Sequence, residues 1–526
     1  MYRSMPFSCA PDDLQQKVFA FLANSANHGD RPVHVVTTHG AAVFLAGDRA
    51  LKIKRAVRFP YLDYSTLDKR KAACDQEVSI NRLFAPQIYR GVVPITQRAD
   101  GRFEIAGDGR VVEWAIDMTR FDERQTVDLL AEAAPPETAL LLDIAEVIAA
   151  SHAAAPIVAR GPWIDSILRI VAGNTKAFRA GGFDGAAIAA LDAASRAGFA
   201  RLQPLLDRRG EQGYVRRCHG DLHLANIVVI DGKPVLFDAI EFDPSIASTD
   251  VLYDLAFVVM DFIHYDRAAA ASVVLNRYLA ITSDQHLDAL SALPLLMSMR
   301  AAIRANVMLS RPAQDAAHLA EIRRTAESYF TLACRLIAPP QPRLIAIGGL
   351  SGTGKSVLAR SLASTIAPLP GAIVLRSDVT RKQQFNVKDT DRLPAEAYRP
   401  QVTAEVYRTL CQRAARILAQ GHSAMVDAVF AREDERRAIS EVAERAQVPF
   451  DGLFLVADLA TRIARVSSRI GDASDATAEI AKAQQAYDAG VIDWTIVDAA
   501  GTPDQTLLRA TEALTTPRAI PRGAGA

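Results

Sequence analysis

Two segments of this chain carry residue types that can hold a polyphosphate together with a divalent cation. The first is His219-Gly220-Asp221-Leu222-His223-Leu224-Ala225-Asn226, followed after a further twelve residues by Asp238. The second is Gly349-Leu350-Ser351-Gly352-Thr353-Gly354-Lys355-Ser356. Phosphoryl transfer depends on positioning the acceptor and on neutralising phosphate charge, and Asp, Asn, Ser and Lys side chains serve both purposes. Because the two patterns share no spacing, they predict two unrelated nucleotide sites rather than a repeat.

The second segment fits the pattern GxxxxGK[ST], in which glycines let the backbone wrap phosphates with its N–H groups pointing inward. Lys355 would reach the β- and γ-phosphates, and the Ser356 hydroxyl would ligate magnesium. A glycine turn that merely opens a helix is the alternative interpretation. The residues of this loop predicted to bind the nucleotide are Gly349, Ser351, Gly352, Thr353, Gly354, Lys355 and Ser356.

Acidic residues follow two short apolar runs downstream of this loop. In doubly wound sheets ligands bind beyond the carboxyl ends of the strands, so Asp378 is predicted to orient or deprotonate an acceptor hydroxyl, a role compatible with capping the next helix. Arg381, one helical turn on, would hold an anionic substrate. Asp427 ends the run Met425-Val426 and is predicted to act on magnesium or its water, with a turn aspartate as the alternative.

Three arginines follow the apolar run that ends at Asp458. Arg462, Arg465 and Arg469 are spaced by three and four residues, so they share one helical face. Such a face suits a lid over the transferring phosphates, and Arg465 and Arg469 are the residues expected to contact the nucleotide. A solvated basic face is the alternative.

In the first segment, Asp221 and Asn226 are five residues apart. Asp221 would orient the acceptor hydroxyl or accept its proton, while Asn226 and Asp238 would hold magnesium. A helix predicted over Glu77 to Phe84 would bring Glu77 to Lys52, and this ion pair would lie over the α- and β-phosphates. Lys54 shares a strand face with Lys52, so spacing alone leaves both open, and the Ala-Leu-Lys context favours Lys52.

A metal site is the rival interpretation of the first segment. His219, Asp221 and His223 alternate, so on a strand they would share a face. The positions of Asn226 and Asp238 favour the phosphoryl-transfer interpretation instead.

The elements predicted around these motifs define two domains and a seam. Short strands, a helix, further strands and then mainly helices, with a hairpin at Asp231-Gly232, predict a small antiparallel lobe and a mostly helical lobe over residues 30–338, after a helical extension at 1–29. The spacing of Asp221 and Asn226 resembles the catalytic loop of the kinase fold, which implies an α+β protein-kinase-like bilobal domain. Prolines make 339–342 a linker. Alternating buried strands and helices over 343–514 predict an α/β P-loop NTPase domain with a parallel sheet covered on both faces, followed by a flexible tail at 515–526.

These motifs resemble two known groups. His219-Gly220-Asp221, with Asp238-Ala239-Ile240-Glu241-Phe242, resembles the aminoglycoside phosphotransferase and choline kinase branch of the kinase fold, in which Asp250 and Asp254 would be structural aspartates. The glycine loop with Arg376-Ser377-Asp378-Val379-Thr380-Arg381 is similar to P-loop small-molecule kinases such as gluconate kinase, polynucleotide kinase and zeta toxins. The segment 472–477 is similar to one in bacterial kinases of that group. The resemblance implies ATP and Mg²⁺ as cofactors and small-molecule acceptors.

Composition narrows the class of protein. The chain has 526 residues, with Lys+Arg and Asp+Glu both 60, and this balance argues against a nucleic-acid partner. Its five cysteines show no metal or redox spacing. With no signal sequence and no apolar run of membrane length, the expectation is a cytoplasmic protein without a membrane contact; the sequence leaves its oligomeric state open.

The sequence therefore predicts a bifunctional ATP-dependent phosphotransferase. In one alternative, a domain is a nucleotide-binding regulator without catalysis, and the N-terminal domain fits this better because its phosphate-covering loop has only Gly40. In another, the C-terminal half is a nucleic-acid-end kinase or an ATPase switch.

Overall fold

The structure is a computed structural model that describes residues 13–38, 40–59, 62–282, 284–311, 315–388, 390–467, 473–487 and 489–515. The chain divides into two compact units, residues 1–169 with 203–261 and residues 170–202 with 262–526. The second unit therefore includes residues on both sides of the proline-rich segment 339–342.

A six-stranded antiparallel sheet forms the first part of the first unit, in the order β1-β2-β3-β8-β6-β7. Strands β4 and β5 form a separate pair. The strands are β1 (Val33–Thr37), β2 (Ala41–Ala46), β3 (Arg49–Lys54), β4 (Arg58–Phe59), β5 (Leu62–Asp63), β6 (Tyr89–Gln97), β7 (Phe103–Ile105) and β8 (Arg110–Thr119).

Strand β3 sends alternate side chains to opposite faces of this sheet. Leu51 and Ile53 pack with Val18 of helix α1 (Asp13–Ala23). Ala50 packs instead with Val78 of helix α2 (Leu67–Asn81). Lys52 and Lys54 continue the series of Ala50, so both lysines lie on the face covered by α2.

Helix α2 starts well before the helix predicted over Glu77 to Phe84. The Thr66 hydroxyl accepts a hydrogen bond from Lys69 N–H and so caps the first turn, and the helix ends at Asn81.

Helices and two small strand pairs complete the segment that carries the first motif. The helices are α3 (Val127–Ala133), α4 (Thr138–Ala154), α5 (Gly161–Ala180), α6 (Gly185–Glu211), α7 (Pro244–Ala247) and α8 (Val251–His264). The strands are β9 (Val215–Arg217), β10 (Ile227–Ile230), β11 (Lys233–Leu236) and β12 (Ser248–Asp250). β10 and β11 form the predicted hairpin, and β9 pairs with β12.

Between α8 and the proline-rich segment, the described residues form the α-helices α9 (Ala268–Ile281), α10 (Leu293–Leu309) and α11 (Ala316–Ile337). Among the described residues, one helical stretch, Leu287–Leu309, is long and apolar enough to cross a membrane, but 67% of it is buried inside the protein. That burial is typical of a core helix.

A five-stranded parallel sheet follows, in the order β14-β15-β13-β16-β17. Its strands are β13 (Leu344–Gly349), β14 (Ile373–Arg376), β15 (Ala424–Asp427), β16 (Phe450–Val456) and β17 (Thr495–Asp498). Its helices are α12 (Lys355–Ala363), α13 (Ser377–Gln384), α14 (Pro400–Ala419), α15 (Glu433–Ala446), α16 (Leu459–Ser467), α17 (Ala478–Ala483) and α18 (Pro503–Thr515). Both predicted fold classes are confirmed, while the domain boundaries given above stay a prediction.

Candidate active sites

In the first unit, Lys52 of β3 forms ion pairs with Glu77 of helix α2 and with Asp238, which follows β11. Lys52 Nζ lies 2.8 Å from Glu77 Oε1 and 2.7 Å from Asp238 Oδ1. Burial disfavours the charge on Lys52, but Asp238 and Glu77 more than offset this and hold the pKa of Lys52 well above its ordinary value. Asp238 is 44% exposed, so its second oxygen is accessible to a ligand.

Lys54 binds the other carboxylate oxygen of Glu77. It contacts Glu77 Oε2 and Glu241 Oε1, and its side chain is only 5% exposed, against 16% for Lys52. Burial raises the pKa of Glu77, but the two lysines outweigh it and lower that pKa to about 2. Burial and repulsion from Glu77 raise the pKa of Glu241. This geometry supports Lys52 as the lysine that faces a nucleotide and Lys54 as its buried support.

Asp221 and Asn226 lie together on the loop before β10. The Asn226 amide donates to the Asp221 carbonyl at 2.9 Å and to its carboxylate at 3.4 Å. Asp221 is 42% exposed, whereas Asn226 is largely buried. The Asn226 amide oxygen and the Asp238 carboxylate are hard oxygen ligands of the kind that Mg²⁺ prefers. The donor set therefore fits the predicted metal.

Helix α8 stabilises the loop that bears Asp221 through hydrogen bonds. The Asp254 carboxylate accepts hydrogen bonds from His219 N–H at 3.2 Å and Gly220 N–H at 2.9 Å. Gly220 has φ +87°, and a Cβ there would lie 2.7 Å from the Ala247 Cβ. Only glycine meets both constraints, which explains the residue between His219 and Asp221.

The rival metal site is not assembled. His219 Nε2 bonds to the Phe237 carbonyl at 2.8 Å, and burial lowers the pKa of this histidine. In the part of the chain that the structure describes, the group of side chains able to share a metal is His152, Cys218 and Asp254 instead. His152 and Asp254 are already joined at 3.3 Å.

The loop that would cover the phosphates is short. Thr38 and Ala41 are hydrogen-bonded to each other across the β1–β2 turn. Arg55 stabilises this turn: its side chain donates to the Thr38 carbonyl and its backbone N–H donates to the Gly40 carbonyl. Gly40 is the one glycine in this turn, so the sequence does not supply the run of glycine N–H groups that a glycine-rich clamp offers.

The second unit builds its loop between β13 and α12 as the pattern predicts. Gly349, Gly352 and Gly354 have φ values of +133°, +89° and +95°, and a Cβ at Gly352 would lie 2.5 Å from the Arg462 carbonyl oxygen. Lys355 starts α12, and its ammonium lies 3.3 Å from the Leu350 carbonyl oxygen inside the loop. The backbone therefore follows a path that only glycines permit.

The predicted metal ligands of this loop meet each other. The Ser356 hydroxyl donates to the Asp427 carboxylate at the end of β15. Arg376 joins them, with NH2 at 3.1 Å from Ser356 Oγ and Nε at 3.4 Å from Asp427 Oδ2. A hydroxyl and a carboxylate side by side fit magnesium, whose charge would be added to that of Arg376.

Asp378 lies at the start of α13, close to these groups. Burial and the Asp427 carboxylate raise the pKa of Asp378, which Arg376 and a hydrogen bond from Ser474 oppose. A carboxylate with a raised pKa is a better proton acceptor than an ordinary surface aspartate. Arg381 is buried, bonds to the Ala397 carbonyl and lies over the Tyr398 ring at 5.0 Å.

The arginine face lies against the loop itself. Arg462 is buried and donates to the Ser351 carbonyl at 2.9 Å. Arg465 donates to the Ala499 carbonyl at 2.7 Å and the Gly501 carbonyl at 2.6 Å, so its described contacts brace the loop region against the segment after β17. Arg469 lies outside the described residues.

Four functional candidates were missed by sequence reasoning: Glu241, Arg376, Asp475 and Gln484. The side-chain Oε1 of Gln484 accepts a hydrogen bond from Ser351 N–H at 2.7 Å. Asp475 binds Lys382 at 3.2 Å and the Tyr398 hydroxyl at 2.7 Å. The segment after α16 thus contacts both the nucleotide loop and the acceptor side. The resemblance at 472–477 was the one available signal for Asp475, although Asp472 lies outside the described residues.

Comparisons with known proteins match two stretches of the chain to protein families. Residues 34–293 match the model of the phosphotransferase enzyme family, and residues 344–489 match the model of an AAA domain. The chain therefore joins a domain of the phosphotransferase enzyme family to a P-loop kinase-like domain.

Similar proteins extend over most of the chain. An uncharacterized protein of Mycobacterium tuberculosis (strain ATCC 25618 / H37Rv) is 28% identical over 91% of this chain and 95% of its own length, and one of Mycobacterium bovis gives the same values. Among solved structures, a Cryptosporidium parvum choline kinase covers 61% of this chain and 95% of its own, at 11% identity and TM-score 0.39. A Sinorhizobium meliloti gluconokinase covers 33% and 91%, at 19% identity and TM-score 0.24. At these TM-scores the two structures carry no functional weight.

Proposed function

We propose that the chain is a cytoplasmic bifunctional phosphotransferase whose two centres each transfer the γ-phosphoryl group of ATP to a small-molecule hydroxyl. The observation that supports the proposal is that each unit contains a lysine, hard oxygen side chains and a further aspartate, which would serve as phosphate lysine, Mg²⁺ ligands and acceptor-side residue. In the first unit these are Lys52, Asn226 with Asp238, and Asp221. The second unit combines Lys355, Ser356 with Asp427, and Asp378.

In each centre the aspartate would orient the acceptor hydroxyl and take its proton as the oxygen attacks the γ-phosphorus. The bond from that phosphorus to the β,γ-bridging oxygen breaks, and ADP leaves with the electron pair. Magnesium, when bound, neutralises phosphate charge. Lys52 and Lys355 would hold the phosphates, and Arg376 would balance charge beside the transferred group.

The test uses ATP turnover with a library of small-molecule alcohols. We expect Asp221→Asn to abolish phosphorylation of one set of acceptors and Asp378→Asn to abolish another. Asp165→Asn and Asp504→Asn change exposed aspartates in the first and second unit and serve as matched controls. The proposal fails if acceptors used by the wild type are still phosphorylated at full rate by the Asp221→Asn, Asp378→Asn double variant.

A second candidate function follows from the short turn between β1 and β2. If the first unit binds ATP without transferring its phosphate, it acts as a regulator of the P-loop centre. Binding of MgATP by a Lys355→Ala variant that never releases ADP with any acceptor supports this role. ADP release that Asp221→Asn abolishes excludes it.

A further inference from the structure

The edge strand of the parallel sheet is completed by a side chain from a helix that precedes the proline-rich segment. Among the described residues β14 is the outermost strand of this sheet, so its outward backbone groups have no strand partner there. Asn276 of α9 supplies one: its Nδ2 donates to the Ala372 carbonyl at 3.2 Å, and its Oδ1 accepts from Val374 N–H at 2.7 Å. A single side-chain amide thus pairs with an acceptor and a donor two residues apart, as a neighbouring strand would.

The helix after β14 is attached to the same α9 helix. Gln383 on α13 donates from Nε2 to the carbonyl of Ala280, near the end of α9, at 3.2 Å. Its neighbour Gln384 instead donates to Thr409 of α14. Gln383 therefore connects α13 to α9, whereas the side chain of Gln384 bonds to α14.

An arginine bridge joins the segment after α9 to the middle of α13. Arg413 of α14 donates from Nε to the Asp284 carboxylate at 2.7 Å and from NH1 to the Thr380 hydroxyl at 3.0 Å. One turn further on, Arg416 makes two 2.8 Å bonds to Asp288. Arg413 is 13% exposed, so this bridge is largely shielded from water.

These contacts surround the residues proposed for the acceptor side. β14 ends at Arg376, α13 begins at Ser377, and Asp378 lies in its first turn. The Asn276 bonds fix the strand just before Arg376, and the Gln383 and Thr380 bonds fix the helix just after Asp378. All the partners on the α9 side fall within residues 34–293, the stretch matched by the phosphotransferase family model.

We propose that α9 and the segment that follows it are a working part of the P-loop centre, with Asn276 as the positioning residue that sets Arg376 and Asp378 relative to the loop 349–356. This inference rests on the phosphotransfer role proposed above for the P-loop centre. Asn276 acts through the β14 backbone and does not itself touch the reacting atoms.

The first test is hydrogen exchange on the full chain, which needs no substrate. Removing the hydrogen bonds to Ala372 and Val374 in Asn276→Ala should speed amide exchange in residues 373–384 by about five- to fiftyfold, with little change in β15. Gln383→Ala should give a smaller effect confined to α13. Gln384→Ala is the matched control and should leave exchange at Val374 as in the wild type.

The second test measures MgATP hydrolysis by the P-loop centre in an Asp221→Asn background, with water as the acceptor. Asn276→Ala should lower kcat about threefold to tenfold while the KM for ATP stays within about twofold, because the nucleotide loop is not attached to Asn276. Asn276→Asp keeps the acceptor for Val374 N–H and should recover part of the rate. A purely structural role would change stability and both kinetic constants together.

The outcomes distinguish the positioning role of Asn276 from the proposed function of the P-loop centre. Unchanged exchange in Asn276→Ala, or faster exchange with an unchanged kcat, overturns the positioning role. Hydrolysis that survives both Lys355→Ala and Asp378→Asn overturns the proposed function of the centre instead. If Asn276→Ala does not fold, Gln383→Ala and Asn276→Asp against Gln384→Ala decide the question by the same measurements.

Discussion

The two lysines of β3 have different expected roles, Lys52 in nucleotide binding and Lys54 in stability. Substituting each by methionine distinguishes these roles. Methionine keeps most of the side-chain volume and removes the charge. In Lys52→Met, Glu77 retains its contact with Lys54, and Asp238 is exposed enough for water to solvate it. In Lys54→Met, Glu241 loses its lysine partner and Glu77 loses one of two, and both carboxylates are buried.

The expected magnitudes follow from this burial. Breaking a buried ion pair by removing one partner costs about 3–5 kcal/mol, so Lys54→Met should lower the free energy of unfolding by that amount. Lys52→Met should cost less and remain folded, because Asp238 is 44% exposed to water and Glu77 keeps Lys54 as its partner. A charge-assisted hydrogen bond is worth about 1.5–3 kcal/mol, so loss of Lys52 should weaken MgATP binding by about ten- to a hundredfold.

The assay is calorimetric MgATP binding combined with urea unfolding, both in a Lys355→Ala background that removes the loop lysine of the second site. Weakened binding with a near-normal urea midpoint is expected for Lys52→Met, and a lowered midpoint for Lys54→Met. If Lys54→Met keeps its stability and loses MgATP affinity while Lys52→Met binds normally, the two roles are reversed and the reasoning from burial is wrong.

Three further predictions concern single residues. Asp475→Asn removes the charge that pairs with buried Lys382 and should slow P-loop phosphotransfer about tenfold with unchanged MgATP affinity; equal rates in an Asp221→Asn background would contradict this. Gly220→Ala should abolish turnover by the first centre and lower thermal stability, because φ is positive and Ala247 blocks the Cβ; a fully active variant would show that the loop tolerates it. Burial lowers the pKa of His422 from 6.5 to about 4, so its neutral form stabilises the fold above pH 6.5 and this contribution is lost as the pH falls towards 4. Relative to His422→Leu, unfolding free energy should fall by about 1.4 kcal/mol per pH unit in that window; parallel pH curves would refute it.

Local patterns could be predicted from the sequence, because their geometry is set by consecutive residues. The loop at 349–356 needs glycines at fixed offsets, and the hairpin at Asp231-Gly232 needs its turn residues. Both lie where the sequence indicates. The alternation along β3 also placed Lys52 and Lys54 on one face, although it could not order them.

Contacts between distant residues could not be predicted this way. Glu241 reaches Lys54 across 187 residues, Gln484 reaches Ser351 across 133, and Asn276 reaches Val374 across 98. Each contact depends on which distant segments pack together, and residue spacing does not encode this. The early start of α2 was different, because the Thr66 cap was a local signal that went unused.

The hydrogen bonds of Asn276 also limit where the polypeptide can be truncated. The proline-rich segment at 339–342 looks like a natural place to begin a recombinant fragment of the P-loop domain. Such a fragment would lack α9 and would display the outer edge of β14, with Ala372 and Val374 unpaired. Bare strand edges are templates for intermolecular sheet formation. The shorter product is therefore expected to aggregate where the intact chain stays dispersed.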